Sequence, residues 1–304
     1  KEQGYDEGFS AAVNIATAPV GQLIPPTTAF IVYSAAGAGA SVAALFMAGW
    51  IPGLLWAAAC MIVAFFFAKK NGYVIKRDKM TWGIIGKTVW EAIPSLFLVV
   101  IIIGGILSGY FTPTEASGIA VAYAFILSVF IYKTIKLSEI PKILVDAAVM
   151  TTTVMLIIGA SSVLSFVMSF TGLPQAISSL VLGISDNKIV ILLILNIFLL
   201  IVGTFMDMAP ALLIFTPIFL PIVQSFGMSP IHFGVMMVMN LSVGTITPPV
   251  GNVLFVGSSV AKLQVEQVMK RLIPMYAAIF VALMLVTYIP ALSEWLPTVL
   301  GLLE

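Results

Sequence analysis

The residues with the clearest chemical potential in this chain stand in a seven-residue pattern that occurs twice. It reads Val20-Gly21-x-x-x-Pro25-Pro26 near the start and Val243-Gly244-x-x-x-Pro248-Pro249 near the end. Two adjacent prolines remove two amide donors and clash with the preceding turn, so neither segment can form one continuous helix. A break leaves carbonyls without helical partners and begins a new helix with free N–H groups. Groups of this kind can hold an ion or a small anion.

Both copies of the motif lie inside apolar segments, and this setting decides how the breaks can be used. The chain is 61% hydrophobic and 9% charged, whereas a soluble domain carries about 25% charged residues. We therefore predict an all-α polytopic membrane protein. Broken backbone at membrane depth is tolerated only where it is buried in protein or lines a cavity. A matched pair of interrupted segments is typical of the binding site of a secondary transporter.

The composition argues against other classes of protein. The one cysteine, Cys60, lies in an apolar run, which excludes disulfides and thiolate metal sites. The basic residues are scattered at segment ends, so we expect no nucleic-acid partner. With one histidine and no membrane-embedded Ser/His or paired-Asp arrangement, an intramembrane enzyme has no candidate residues. A channel would show polar residues along a continuous pore, yet they gather at the two breaks.

The membrane segments are predicted from the long apolar stretches. Besides the broken segments 9–38 and 231–260, five unbroken spans are expected. These are 43–68, 90–109, 117–132, 146–170 and 272–296. Block 189–226 is interrupted at 203–210 into halves of about 14 to 16 residues, too short for comfortable spans, and is predicted to be a re-entrant hairpin. Segment 173–184 is also short and is predicted to be an interfacial helix.

The positive-inside rule gives this layout an orientation. If every long segment crosses and the hairpin returns to its own side, all but Lys188 of the 14 lysines and arginines fall on one face. Cytoplasmic loops carry an excess of these residues, so that face is predicted to be cytoplasmic, with the N-terminus of this chain on it. The two motifs then run in opposite directions, which makes them an inverted-topology repeat.

The two copies differ in what precedes them. The second copy follows the predicted hairpin, whereas only a short polar stretch precedes the first apolar segment. We therefore expect this chain to be the C-terminal part of a longer subunit, or the first hairpin to be lost or to lie on a separate chain.

Several stretches together resemble the large membrane subunit of the TRAP (tripartite ATP-independent periplasmic) transporters. They are Gly4-Tyr5 through Pro26, Phe111 through Ala116, Gly203 through Asp207 with Thr216 through Pro221, and His232 through Gly251. The resemblance covers the whole chain. It implies an elevator-type ion-transporter fold with inverted repeats, hairpins and two broken helices. In the family the first hairpin lies in an N-terminal third that has no counterpart in the given sequence, so we expect the first sodium site to be incomplete in this chain.

The resemblance also implies a function. It is the sodium-coupled import of a small carboxylate, such as a C4-dicarboxylate, sialic acid or a sugar or keto acid. The implied partners are a small four-helix membrane subunit, a soluble periplasmic binding protein and membrane lipid. The implied location is the bacterial inner membrane, with the C-terminus in the periplasm. The alternatives are a binding-protein-independent sodium/anion symporter and, with less support, an ion channel.

Sodium needs several hard oxygen ligands, which unwound backbone supplies without net charge. At the second motif the predicted ligands come from the hairpin tip and the break. They are Gly203, Thr204, Gly244, Thr247 and Val250, with Thr247 able to add its hydroxyl. By repeat symmetry, the first motif offers Gly21, Ile24 and Thr27. Each of these residues could instead have only a structural role in the turn.

The half-helices after the prolines would direct free N–H groups at an anionic substrate. Thr28, Gly251 and Asn252 are the predicted contacts, with Thr27 beside them. Asp207, at the hairpin tip, is also a candidate at the substrate site. It has three open roles: electrostatics of the sodium or substrate site, a helix cap, and a proton carrier.

Three further polar residues have predicted roles. Glu115 is expected to cap the following helix, with docking of the binding protein as the alternative. His232 is expected to be a satisfied interfacial histidine rather than a gate. Asn240 should bond a broken backbone or a neighbouring helix.

We treat 1–304 as a single transporter domain. In an elevator mechanism, 9–38 and 189–260 would form the transport part, and 51–68, 84–132 and 272–296 the scaffold.

Overall fold

The computed structural model describes residues 5–73, 82–172 and 187–303, together with positions 176, 179 and 183. All regular structure in this part of the chain is helical. Seven of its helical segments are long and apolar enough to cross a membrane, and a further pair is bent by 47° at a break. This confirms the prediction of an all-α polytopic membrane protein. The predicted interfacial helix 173–184 falls, apart from three positions, outside the described residues.

The first broken helix is made of three short helices. They are α1 (Glu7–Thr17), α2 (Val20–Leu23) and α3 (Thr28–Tyr33), and a π-helical turn, Ser34–Ala38, extends α3. The chain then returns through α4 (Val42–Ala48) and α5 (Trp50–Lys70). The break lies at the twin prolines, where the sequence predicts it, because proline cannot supply the helical N–H bond.

The next three helices are α6 (Trp82–Leu107), α7 (Pro113–Ile126) and α8 (Ile140–Thr171), and a π-helical turn, Leu127–Ile131, extends α7. Each begins earlier than the apolar run that predicted it, because its N-terminal part includes a charged residue: Lys87 in α6, Glu115 in α7 and Lys142 in α8. At the start of α7, Thr112 and Glu115 form a reciprocal capping box, in which the Glu115 carboxylate accepts from Thr112 N–H at 2.9 Å. The capping role predicted for Glu115 is confirmed.

The hairpin consists of α9 (Lys188–Phe205) and α10 (Met208–Ser225). Its tip is the pair Met206 and Asp207, inside the predicted interruption. Each arm has 18 residues, more than the predicted 14 to 16, because Gly203 to Phe205 and Met208 to Pro210, which lie in the predicted interruption, are helical. An 18-residue helix is about 27 Å long, and each arm is long and apolar enough to cross a membrane. The predicted shortness of the arms was wrong, and re-entry of the hairpin stays a prediction.

The chain ends with α11 (Pro230–Thr245), α12 (Asn252–Ala261), α13 (Val265–Tyr288) and α14 (Ala291–Val299). The first two form the second broken helix. The predicted last span, 272–296, was wrong at both ends. Helix α13 begins seven residues earlier, at Val265, in a turn whose charged residue lowers its hydropathy. It ends at Tyr288, just before Pro290, which is the N-cap of α14.

The two repeat copies match without insertion or deletion from one helix N-cap to the next. The matched pairs are the N-caps Asp6 and Ser229, the twin prolines, the left-handed residues Gly39 and Lys262 that end the half-helices, and the N-caps Ser41 and Gln264. Both Pro-Pro bonds are cis. The backbone therefore repeats through the whole break, beyond the residues that the motif itself shares.

The two broken helices lie side by side in opposite directions. Tyr33, at the end of α3, donates to the carbonyl of Pro230, at the start of α11, at 2.6 Å. Helix α1 packs on α12, where Gly257 sits against Ile15. Helix α11 is the centre of the core, because all its residues from Ile231 to Thr245 are buried. The predicted inverted relation of the two copies is thus visible in the packing.

The chain divides into two compact units, Lys1–Val74 with Ile157–Glu304, and Ile75–Leu156. The first contains both broken helices and the hairpin. It also contains α5 and α13, which overlap the predicted scaffold elements 51–68 and 272–296. The division into moving and fixed elements stays a prediction, and these two helices are where it has to be tested.

Candidate functional site

The tip of the hairpin is packed directly on the second break. A Cβ added to Gly244 would lie 2.3 Å from the carbonyl carbon of Gly203, so the two backbone segments can approach this closely because residue 244 is glycine. The Val250 N–H, beyond the prolines, donates to the carbonyl of Thr204 at 3.3 Å. The structure therefore brings together the tip residues and the break residues that the sequence predicts as sodium ligands.

Thr247 lies at the centre of the second break. Its hydroxyl donates to the carbonyl of Val243 at 2.7 Å, and its N–H donates to Gly244 at 3.0 Å. The Tyr276 hydroxyl, from α13, bonds the carbonyl of Ile246. A largely apolar cleft of 590 Å³ opens beside these groups and is lined by Thr204, Thr247 and Tyr276, among others. The oxygens around the break are carbonyl and hydroxyl oxygens, the type that hard cations prefer.

The first break is braced differently. Thr27 Oγ1 donates to the carbonyl of Gln22 at 3.0 Å and accepts from the N–H of Ala29 at 3.2 Å, so it both closes the turn and caps α3. Helix α5 presses on this break, since Cβ atoms at Gly49 and Gly53 would overlap Leu23 and Ile24.

Gly21, the motif glycine of the first copy, is exposed, and an added Cβ would meet no described atom within 4 Å. The predicted ligands Gly21, Ile24 and Thr27 thus share one break. Within the described residues no hairpin tip lies against them.

The two breaks meet through a pair of side chains that our sequence analysis missed. Ser242, fully buried in α11, has its hydroxyl 2.9 Å from Oε1 of Gln22 in α2. The available signal was the presence of two polar side chains inside or beside otherwise apolar motifs. Sequence spacing cannot reveal that they touch, because 220 positions separate them.

The predicted substrate contacts occupy the starts of the half-helices. Thr28 is exposed at the first position of α3, and Asn252 is exposed at the first position of α12. Gly251 precedes Asn252 with φ +38°, and a Cβ there would lie 2.7 Å from the carbonyl oxygen of Thr247. This close approach of backbone to backbone explains the glycine.

Asp207 occupies the N-cap position of α10, exposed at the hairpin tip, but its side chain makes no capping hydrogen bond. The helix-cap role therefore gains no support from the side chain. Its carboxylate is accessible at the tip, so electrostatics of the site and proton transfer both stay open as predictions.

A buried polar network holds the helices behind the second break. Asn240 Nδ2 donates to Oδ1 of Asn196 at 2.6 Å, and Thr287 Oγ1 lies 3.3 Å from the same oxygen, which joins α11, α9 and α13. The predicted bond from Asn240 to a neighbouring helix is thus present. His232 is 2% exposed, and its Nε2 lies 2.8 Å from the carbonyl of Val286, so it is a satisfied buried histidine.

Together, the fold and these contacts define a class. The protein is an all-α polytopic membrane protein in which two antiparallel broken helices and a hairpin tip converge on unwound backbone, an arrangement suited to a transporter. The family model described as "Tripartite ATP-independent periplasmic transporter, DctM component" matches residues 1–292. The chain belongs to this family, whose members are transporter permeases rather than enzymes.

Three relatives illustrate the similarity. The chain is 48% identical to the uncharacterized protein YgiK of Salmonella typhimurium, over 98% of the chain and 68% of that protein. It is 39% identical to the isethionate TRAP transporter permease protein DctMQ of Oleidesulfovibrio alaskensis, over 96% of the chain and 46% of that protein. It is also 39% identical to the C4-dicarboxylate TRAP transporter large permease protein DctM of Pseudomonas aeruginosa, over 98% of the chain and 70% of that protein.

Proposed function

We propose that this chain carries out the sodium-coupled import of a small organic anion, delivered by a periplasmic binding protein, through an elevator movement. One observation carries the proposal. Two antiparallel broken helices meet at their breaks, where Ser242 touches Gln22, and the hairpin tip is seated on one of them at Gly203 and Gly244. Discontinuous helices of this kind supply both carbonyls for a cation and N–H groups for an anion.

Sodium is proposed as the coupling ion at the second break. The carbonyls of Gly203, Thr204, Gly244 and Val250, with the Thr247 hydroxyl, form a neutral oxygen set. Sodium is a hard cation and takes such ligands. In the first copy, the same role is proposed for Gly21, Ile24 and Thr27.

The anionic group of the substrate is proposed to bind between the half-helices. The segments 7–33 and 230–261 contain no lysine or arginine, so the donors that they offer the anion are neutral. Helix α12 begins with free N–H groups at Asn252, and its dipole favours negative charge there. Thr28, Gly251 and Asp207 complete the proposed substrate-binding set. A C4-dicarboxylate, sialic acid, a sugar or keto acid and, from the name of one relative, isethionate are candidate substrates.

The proposed assembly follows the family description. It comprises a small four-helix membrane subunit and a soluble periplasmic binding protein in the bacterial inner membrane. The distribution of lysine and arginine supports an orientation with the N-terminus of this chain in the cytoplasm and the C-terminus in the periplasm.

The experiment is uptake into proteoliposomes that contain the protein carrying this chain and its small subunit. Radiolabelled succinate, sialic acid and isethionate are each offered with cognate binding protein, with and without an inward sodium gradient. We expect one of the anions to accumulate only when its binding protein and the sodium gradient are both present. Accumulation without binding protein would support the independent symporter instead, and flux down the anion gradient without sodium would support a channel.

The elevator assignment has its own test. In a Cys60→Ala background, cysteines replacing Gly53 in α5 and Ile24 at the first break are crosslinked, since the two residues are in contact. If α5 belongs to the fixed scaffold, the crosslink blocks transport. Full transport after complete crosslinking would place α5 with the moving elements.

A further inference from the structure

The side chain of Gln22 joins the two breaks. Its main-chain carbonyl accepts from Thr27 within the first break, and its Oε1 lies 2.9 Å from the hydroxyl of Ser242 beside the second. Gln22 is half-buried, so part of the amide remains accessible. Within the described residues, its Nε2 has no protein partner, although an amide nitrogen carries two N–H donors.

An anion at the breaks needs donors of this kind. Segments 7–33 and 230–261 contain no lysine or arginine, so the donors that the two broken helices themselves offer an anion are main-chain N–H groups and neutral side chains. The amides closest to the breaks are Gln22 and Asn252. Of the two, only Gln22 is held by a side chain of the opposite repeat, so its amide is oriented before a ligand arrives.

We propose that Gln22 is a specificity-determining residue that donates from Nε2 to the anionic group of the substrate, with Ser242 orienting its amide. The inference rests on the proposed function, since it takes a small organic anion as the substrate. Neither residue belongs to the motif glycines and prolines or to the sodium and substrate residues assigned above.

The hydroxyl of Ser242 makes the orientation testable. It carries one hydrogen but lies near two acceptors, Oε1 of Gln22 and the carbonyl of Val238 at 2.7 Å. When it donates to Gln22, Nε2 is turned toward the accessible space and serves an anion. If it donated to Val238, the amide would turn to donate to the hydroxyl, and Oε1 would face that space as a cation ligand.

The experiment replaces the Gln22 amide and distinguishes an effect on anion binding from an effect on sodium binding. Gln22→Glu keeps the shape, removes both donors and adds a repelling charge, and Gln22→Met removes the donors without adding charge. Both are assayed in the proteoliposome system at saturating binding protein, with whichever of succinate, sialic acid and isethionate the wild type imports.

We expect the half-saturating anion concentration to rise about tenfold or more for Gln22→Glu, since hydrogen bonds to charged groups are among the stronger ones. Gln22→Met should raise the half-saturating anion concentration by a smaller factor, and Ser242→Ala should raise it a few-fold. The sodium half-saturation should stay near wild type in all three. Gln224→Glu, the same change at an exposed site near the end of α10, should alter neither value.

A raised sodium half-saturation with unchanged anion dependence would overturn the inference and make Gln22 a cation ligand. Unchanged half-saturation values for both Gln22 variants would also overturn the inference, and a lowered melting temperature would then make Gln22 a structural tie between the helices. If the wild type imports none of these three anions and neither a sugar acid nor a keto acid, the proposed function fails, and this inference fails with it.

Discussion

The two copies of the repeat have matching backbones but different neighbours. Gly244 is packed on Gly203, where a Cβ would overlap the hairpin backbone, whereas a Cβ on Gly21 would meet nothing described within 4 Å. The close approach of two backbone segments thus explains the glycine of the second copy. It does not explain the glycine of the first copy. Two residues at the same place in one motif can therefore be under different physical constraints, which their neighbours decide.

The largest effect is expected from alanine substitution at Gly244, which tests the difference between the two glycines. Gly244→Ala should displace the hairpin tip, because its methyl group would lie 2.3 Å from Gly203. We expect a loss of roughly 1–3 kcal/mol of stability from overpacking, with loss of sodium-driven uptake. Gly21→Ala should be neutral or stabilising by up to about 1 kcal/mol, since alanine is the better helix former. Melting temperature and uptake measure both.

The comparison between the two glycines would fail on one result. If Gly21→Ala abolished uptake and left the melting temperature unchanged, this glycine would also have a close partner in the working transporter.

The second prediction concerns Asn240, whose counterpart in the first copy is Thr17. Asn240 bonds Asn196 on another helix, whereas Thr17, in the part of the chain that the structure describes, bonds only the carbonyls of Val13 and Asn14 in its own helix. Asn240→Leu should therefore cost about 1–2 kcal/mol, the usual range for interhelical polar contacts in membranes. Thr17→Val should cost much less. Thermal unfolding of the purified protein measures both losses of stability. Equal losses would show that the interhelical network contributes no more than a hydrogen bond within one helix.

The third prediction separates two threonines near the breaks. Thr247→Ala should raise the sodium half-saturation several-fold and change stability little, because a hard-ion site depends on its number of ligands. Thr27→Ala should cost about 1 kcal/mol, because its hydroxyl caps α3. Sodium-titrated uptake and thermal unfolding are the measurements. An unchanged sodium half-saturation would remove the Thr247 hydroxyl from the site.

The smallest effect is expected at the N-caps that begin the two copies. Burial alone would raise the pKa of Asp6. The Phe9 N–H and the Arg271 guanidinium, each 2.7 Å away, outweigh it and hold this pKa below its ordinary value of 3.8. A carboxyl group whose pKa is lower in the folded state than in the unfolded state stabilises the protein at pH values above its unfolded-state pKa. This stabilisation is lost as the pH falls through the folded-state pKa. Ser229, the counterpart of Asp6, carries no charge.

Asp6→Asn should therefore remove one acid-dependent contribution to stability. Asparagine still caps the helix, so the cost at neutral pH should be that of a partly exposed ion pair, below about 1 kcal/mol. Thermal unfolding followed from neutral to acid pH checks this. A variant that loses stability with acid as steeply as the wild type would contradict the role of the pair. Ser229→Ala serves as the matched change in the other copy.

Much of the architecture could be predicted from the sequence because it depends on local chemistry. The breaks follow from prolines that lack an N–H, and the membrane class follows from the scarcity of charge. The capping of α7 follows from the spacing of Thr112 and Glu115. Helix ends were less predictable: α13 begins in the charged turn at Val265, where hydropathy gives no sign of a membrane helix.

Only the tertiary structure decided which of these local features meet. The contact of Gly203 with Gly244, the contact of Gln22 with Ser242 and the amide pair Asn196–Asn240 all join segments far apart in the chain. A residue's type limits the bonds that it can form, but its partner depends on how the helices cross. The twin prolines determine that two helices break, and the antiparallel packing of those helices determines that the breaks face each other.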